Sequence, residues 1–123
     1  MPSRTIMFDA PDKAISMNER LHWAAKAERV AAWRHATNIQ ARAQLLEPRG
    51  LGPSLVQVSL RFPHARRRDP HNYVATVKPI IDGLVDAGVW PDDTPEHVRT
   101  LEPTLHVVAD RPAAVHIELW RTP

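Results

Sequence analysis

The 123 residues are enough for one domain with one hydrophobic core, and we treat residues 1–123 as that single domain. A formal charge of +2 and a pI near 9.5, carried by thirteen arginines and three lysines, favour an anionic partner. The absence of cysteine excludes disulfides, thiolate metal sites and a cysteine nucleophile. No apolar run approaches the roughly 20 residues of a membrane span, and no secretory signal pattern is present, so we expect a cytoplasmic protein.

The N-terminal part of the chain predicts a strand followed by one long helix. Arg4 to Phe8 is rich in apolar residues and ends before a turn at Pro11. Ser16-Met-Asn-Glu19 has the S-x-x-E spacing of a capping box, and from there to about Leu46 the sequence contains neither proline nor glycine. We therefore expect one helix over this stretch, ended by the Pro- and Gly-rich residues that begin at Pro48.

The C-terminal part predicts a strand, a helix and two further strands. Leu55 to Phe62 alternates apolar and polar residues, as a strand with one buried side does. An apolar helical stripe either begins near Pro79 or is kinked there, and Gly88 is a suitable C-terminal cap. Val98–Val108 and Ala114–Trp120 are the predicted last strands. The order β-α-β-α-β-β predicts an α+β domain with a small mixed sheet covered by a long N-terminal helix and a second helix.

Residues 66–93 contain the residue types that act on a nucleic-acid backbone. Three adjacent arginines precede Asp69, and an Asp92-Asp93 pair closes the segment. Two or three carboxylates can hold Mg²⁺, which keeps several waters and can activate one of them for phosphodiester hydrolysis. The alternative is structural: Asp69 caps a turn before Pro70, and Asp92-Asp93 lies in a solvated loop.

The basic residues of this segment also allow two interpretations. Lys78 either stabilises the negative charge that develops on a scissile phosphate or pairs with Asp82 four residues later on the helix. The run Arg66–Arg68 either grips DNA phosphates or is a solvated loop. Arg20 and Lys26, near the start of the first helix, are candidates to extend the DNA-binding surface.

This segment resembles the RusA family of Holliday junction resolvases, which are small, homodimeric, Mg²⁺-dependent endonucleases, many of them encoded by phages and prophages. The family pattern has basic residues before D-x-D-N, then a lysine, an amphipathic helix ending in Ala-Gly, and an Asp-Asp pair. Here Arg66–Arg68 precede Asp69-Pro-His-Asn72, Lys78 follows, and Asp86–Asp93 matches the closing element. Upstream, Ser16–Arg20 is similar to the N-terminal segment of the family.

The resemblance implies a RusA-like fold and a homodimer that nicks two strands of a four-way junction in recombination or repair, with Mg²⁺ or Mn²⁺ as cofactor. It implies catalytic roles for Asp69, His71, Lys78 and Asp93, and metal binding by Asp69, His71, Asp92 and Asp93. His71 stands where the family usually has its second aspartate. It is a replacement ligand, a proton shuttle, a DNA contact or a hydrogen-bonding residue of the loop, and imidazole suits Mn²⁺ better than Mg²⁺.

Two other functions remain open from the sequence. The His71 replacement is also compatible with a protein that binds branched DNA without cutting it. A nuclease for forks or flaps in phage replication is the other alternative. Among the tryptophans, Trp90 beside the acidic pair is the candidate for stacking on an unpaired base, whereas core or dimer packing is expected for most of the others.

Overall fold

Two helices and five strands make up the fold in this computed structural model, which describes residues 2–45 and 47–123, with the backbone alone for residue 49. The elements are β1 (Arg4–Asp9), α1 (Trp23–Gln44), β2 (Ser54–Phe62), α2 (Val74–Asp86), β3 (Val98–Thr100), β4 (Thr104–Val107) and β5 (Ala114–Arg121). Short 3₁₀ turns occupy Pro48–Gly50 and Pro70–Tyr73. The predicted α+β class is confirmed, with one strand more than expected. Neither helix in these ranges combines the length and the apolar character that crossing a bilayer requires.

All five strands belong to one mixed sheet in the order β1-β5-β2-β3, with β4 also paired to β2. β5 runs antiparallel to both β1 and β2, whereas β3 and β4 run parallel to β2. A parallel return needs a crossover connection, and α2 lies within the connection from β2 to β3. The crossover places the N-terminal half of α2 and the segment after it beside the β3–β4 edge.

The core lies on one face of this sheet. In β2 the side chains of Val56, Val58 and Leu60 are buried while the intervening residues are partly exposed, as the alternation predicts. Trp33 of α1 and Ile80 of α2 join the same buried cluster. Each fully buried aliphatic side chain of this kind contributes about 1.5–3 kcal/mol, so packing against the sheet holds both helices in place.

The first helix begins at Trp23, later than predicted, and the prediction that Ser16 and Glu19 form its capping box is wrong. Ser16 Oγ accepts a hydrogen bond from the Asn18 N–H at 3.2 Å in a local turn, and the Glu19 carboxylate pairs with Arg29 at 3.0 Å. His22 caps the helix instead, since its Nδ1 accepts from the Ala24 N–H at 3.2 Å. The S-x-x-E motif failed because both of its side chains have other partners. The predicted end at Leu46 lies outside the described residues.

The second helix continues on both sides of Pro79, so the earlier of the two predicted starts is correct. The ring of Pro79 is buried, and only one intrahelical hydrogen bond is lost at this position. Four residues later Gly83 allows α2 to approach α1 closely. A Cβ at Gly83 would lie 2.5 Å from the carbonyl oxygen of Arg34 and 2.7 Å from Cβ of Thr37.

Gly88 ends α2, as its position in the sequence predicts. Its φ of 88° lies in the left-handed region that favours glycine. The N–H of Gly88 donates to the Val85 carbonyl at 2.9 Å, and the N–H of Val89 donates to the Leu84 carbonyl at 3.1 Å. This pair of bonds is a Schellman motif, and it turns the chain toward Asp92 and Asp93.

The predicted strand Val98–Val108 is two strands, which is a correction to the sequence analysis. β3 pairs with residues 54–56 of β2, and β4 pairs with residues 59–62 of the same strand, so both lie along one side of β2. Residues 101–103 separate the two strands, and Pro103 has no N–H with which to continue a ladder. The interruption presents Glu102 at the edge of the sheet, where its backbone carbonyl accepts from Gln57 Nε2 at 2.9 Å.

Candidate active site

A cavity of about 420 Å³ opens between α2 and the β3–β4 edge. Four segments distant in sequence supply its ionisable side chains: His71 from the 3₁₀ turn, Lys78 from α2, Asp93 from the segment after α2, and Glu102 from the break between β3 and β4. Its floor is apolar and includes Val74, Val77, Ile81, Leu101 and Pro103. The fold therefore gathers three of the residues predicted to be catalytic into one open cleft.

The ammonium group of Lys78 lies between two carboxylates. Its Nζ donates to Asp82 Oδ1 at 3.0 Å and to Asp93 Oδ2 at 2.5 Å. These hydrogen bonds, that to Asp93 first, raise the pKa of Lys78 above its ordinary value. The side chain of Lys78 is 62% exposed, so the charged group remains accessible to a ligand from solvent. The pairing with Asp82 expected from the i,i+4 spacing is present, and Asp93 is a second partner.

Asp93 is held in its charged form by this contact. The hydrogen bond from Lys78 is the largest cause that lowers the pKa of Asp93, followed by the charge of Lys78. Asp92 has a different role, because its Oδ1 accepts from the backbone N–H of Asp93 at 2.7 Å and so fixes the turn. Of the acidic pair, Asp93 points into the cavity and Asp92 is exposed beside it.

His71 faces Glu102 across the cavity mouth. Nδ1 of His71 lies 3.6 Å from Oε1 of Glu102, and the two side chains are 67% and 59% exposed. At this distance the pair is an electrostatic contact rather than a hydrogen bond. The carboxylate favours the orientation in which Nδ1 points toward it, which leaves Nε2 directed away from Glu102.

Asp69 caps the turn that carries His71. Its Oδ1 accepts from the His71 backbone N–H at 3.1 Å, and its carbonyl accepts from the Asn72 N–H at 3.0 Å. Pro70 occupies the first position of the turn, where its missing N–H is not needed. The carboxylate of Asp69 therefore has the capping role that the sequence allows as the alternative to metal binding. Within the described residues Asp69 stands outside the cavity lining, two positions before His71.

The three arginines before Asp69 have different environments. Arg68 places its guanidinium carbon 3.9 Å from the centre of the Phe62 ring and donates through Nη1 to the His64 carbonyl at 2.9 Å. Its Nε is buried without a hydrogen-bond partner among the described residues, an arrangement that costs about 1–3 kcal/mol. Arg66 and Arg67 are exposed. Arg20 and Lys26 are exposed near the N-terminal end of α1.

Trp90, the candidate for base stacking, is buried, so its ring is not available to an unpaired base in this structure. Its side chain is 2% exposed, and Nε1 donates to the Gly52 carbonyl and to Ser54 Oγ, each at 3.2 Å. A tryptophan with its ring in the core and its N–H satisfied is a packing residue. Trp23, in contrast, is 76% exposed at the start of α1.

The donor chemistry of the cleft suits a hard divalent cation. Asp82 and Asp93 both bind the Lys78 ammonium within 3.0 Å, so a metal ion at these carboxylates would share or replace that contact. Over residues 2–45 and 47–123, no three His, Asp or Glu side chains stand together as a ready ligand set. Mg²⁺ is commonly held by one or two carboxylates, with waters and substrate phosphate completing its shell, so a smaller protein set is sufficient.

No protein-family model matches the chain, and no curated protein matches it. The resemblance to RusA-type resolvases therefore rests on residues 66–93 and 16–20 of the sequence.

Glu102 is the site residue that the sequence analysis missed. It lies within a stretch predicted as one continuous strand, where an alternating pattern gives no reason to single it out. The available signal was Pro103, because a proline inside a predicted strand indicates an interruption. An interruption at an edge is a place where a polar side chain can leave the sheet and reach a neighbouring helix.

Proposed function

We propose that this protein is a metal-dependent endonuclease that cleaves branched DNA, with the four-way junction as its substrate. The observation that carries the proposal is the joint placement of Lys78, Asp93 and His71 in one open cleft. These residues come from segments that nothing in local structure forces together. A cation held by acids, in a cleft on a basic protein, is an arrangement suited to a phosphodiester.

Lys78 is the residue proposed to stabilise the transition state. Its side chain is 62% exposed, and its ammonium is oriented by Asp82 and Asp93. A phosphate oxygen that enters the cleft competes with Asp93 for this group, while Asp82 keeps the ammonium in position. Fixed in this way, Lys78 needs little reorganisation to meet the negative charge that develops on the phosphate.

Asp93 and His71, which line the cleft, are proposed to hold Mg²⁺ or Mn²⁺. The resemblance to RusA-type enzymes adds Asp69 and Asp92, whose carboxylates would leave the backbone N–H groups that they cap in order to reach the ion. Such an ion would neutralise phosphate charge and lower the pKa of a water for attack. His71 favours Mn²⁺ over Mg²⁺ as the effective ion, because imidazole is a poor ligand for Mg²⁺. If His71 does not bind the metal, its exposed ring is placed to contact the DNA backbone.

Four exposed basic side chains are proposed to hold the DNA backbone: Arg66, Arg67, Arg20 and Lys26. A homodimer is proposed to present two of the Lys78 clefts. The four side chains are exposed, and such contacts position DNA without reading its sequence. A dimer with two-fold symmetry matches the near two-fold symmetry of a four-way junction and would allow paired nicks. These two points rest on the resemblance to RusA-type enzymes.

The test is cleavage of a labelled four-way junction with Mg²⁺ or Mn²⁺ by the wild type and by the Asp69→Asn and Asp93→Asn variants. We expect cleavage by the wild type and a loss of at least about a hundredfold in each variant, since each removes a charge that holds the metal. Asp110→Asn is a matched control, because Asp110 lies in the turn before β5 and asparagine tolerates its φ of 64°. Equal rates in all four proteins would refute the assignment.

The alternative function is recognition of branched DNA without cleavage. His71, at a position where the family pattern has an aspartate, favours this function, because imidazole is a poor ligand for Mg²⁺. Retained junction binding without cleavage under either metal would establish it. A panel of substrates that includes forks and flaps tests the other alternative. Cleavage of forks or flaps in preference to the junction would identify a nuclease of phage replication.

A further inference from the structure

A second cavity, of about 600 Å³, lies on the other side of the Pro70–Tyr73 turn. It is bounded by the C-terminal end of β2, the segment before α1 and the arginine loop. Tyr73 lines this cavity, whereas His71 of the same turn lines the cleft that contains Lys78. The turn has four residues and spans only about 8 Å at about 2.0 Å per residue, so one DNA strand can reach both cavities.

The charge of this second cavity favours an anionic ligand. Its two acids, Asp12 and Glu19, lie 4.0 and 3.0 Å from the guanidinium group of Arg29, which offsets one of their two negative charges. The cavity is also lined by four basic residues, which outnumber the two acids: Lys13, Arg61, Arg66 and Arg68. A ligand with at least one phosphate therefore complements it.

The interior of the cavity favours a flat aromatic ligand. The Arg68 guanidinium lies 3.9 Å over the Phe62 ring, and Tyr73 meets the edge of that ring at 5.5 Å between centroids. One face of the guanidinium is thus covered by Phe62, and Arg68 is among the residues that line the cavity. Guanidinium planes and aromatic rings are the platforms on which proteins stack unpaired bases.

We propose that this cavity binds one unpaired nucleobase of the DNA strand whose phosphate lies in the Lys78 cleft. The inference rests on the proposed endonuclease function and narrows its substrate to DNA with an unpaired nucleotide beside the cleaved bond. A branch point supplies such a nucleotide at low cost, because its bases are already partly unstacked. Intact duplex does not, so the cavity selects branched over linear DNA.

The test is a metal-free binding measurement by fluorescence anisotropy. A set of four-way junctions carries a single abasic tetrahydrofuran, one position at a time, on either side of the crossover. We expect one or two positions at which loss of the base weakens wild-type binding by about tenfold, the size of a base-stacking contact. Arg68→Lys keeps the charge but loses the planar group, and Phe62→Leu removes the ring beneath it while keeping apolar volume. In both variants intact and abasic junctions should bind with the same affinity.

Arg4→Lys is the matched control, because Arg4 is exposed on β1 and lines neither cavity. It should keep the full abasic effect. If the wild type binds intact and abasic junctions with equal affinity at every position, the inference is overturned. That result would mean that the second cavity binds either a phosphate alone or nothing. Cleavage without base dependence would overturn this inference but not the endonuclease, and base dependence without cleavage would overturn only the endonuclease. An absence of DNA binding would overturn both.

Discussion

Replacing Gly83 by alanine tests the helix crossing that positions the candidate active site. The added Cβ would meet the Arg34 carbonyl oxygen at 2.5 Å and the Asn38 nitrogen at 3.2 Å, where about 3.4 Å is the lower limit of ordinary contact. Both are backbone atoms, so no side-chain rotation relieves the overlap, and the overpacking should cost about 3 kcal/mol. The higher helix propensity of alanine offsets about 1 kcal/mol of this. We therefore expect a net loss of about 2 kcal/mol.

The loss is measured by urea unfolding at pH 7, with thermal unfolding as a second readout. A loss of about 2 kcal/mol corresponds to a melting temperature lower by about 8 °C for a chain of this size. Gly50→Ala is the matched control, because a Cβ at Gly50 comes no nearer than 3.9 Å to Glu47 Oε2. Its effect should stay within about 0.5 kcal/mol. A Gly83→Ala variant as stable as the Gly50→Ala variant would show that α1 and α2 do not cross as closely as described.

Three further predictions concern charge. Arg34 donates to the Asp86 carboxylate at 2.7 and 2.9 Å, and these hydrogen bonds are the largest cause that lowers the pKa of Asp86. The stabilisation that this ion pair gives the folded state is therefore present above about pH 4 and is lost as the pH falls through the lowered pKa. Arg34→Met should therefore lower the urea midpoint at pH 7 and have little effect near pH 2; an equal effect at both pH values would contradict this. Arg66→Gln should weaken junction binding uniformly and reduce the slope of log affinity against log salt by about one, and an unchanged slope would remove Arg66 from the phosphate contacts. If His71 binds the metal, the wild type should cleave faster with Mn²⁺ than with Mg²⁺, and His71→Ala should abolish that preference; equal activity with both ions, unchanged in the variant, would exclude the role.

The parts of the fold predicted correctly are those whose signal is local. The alternation in β2 follows from one buried face, and Gly88 follows from the need for a left-handed residue after a helix. The capping box failed because Ser16 and Glu19 have partners outside the motif, and Glu19 pairs with Arg29 ten residues away. A local pattern cannot report such a competing contact.

The site shows the same division between local and long-range information. The contact of Lys78 with Asp82 follows from helix geometry and was available from the sequence. The contact with Asp93 depends on the Schellman turn and on the path after it, and the approach of Glu102 to His71 depends on where β4 joins β2. The resemblance to the RusA pattern singled out the first three side chains of the cleft, whereas Glu102 is brought to it by the topology of the sheet.

The division of the third edge segment into β3 and β4 also bears on how the protein stays separate from its neighbours. Sheet borders are templates on which another polypeptide can add a strand, and long flat borders promote aggregation. Here the border consists of strands of three and four residues with a proline between them. This border offers another strand no continuous row of backbone donors and acceptors. The break between β3 and β4 that brings Glu102 to the cleft therefore also disfavours fibril-like strand pairing here.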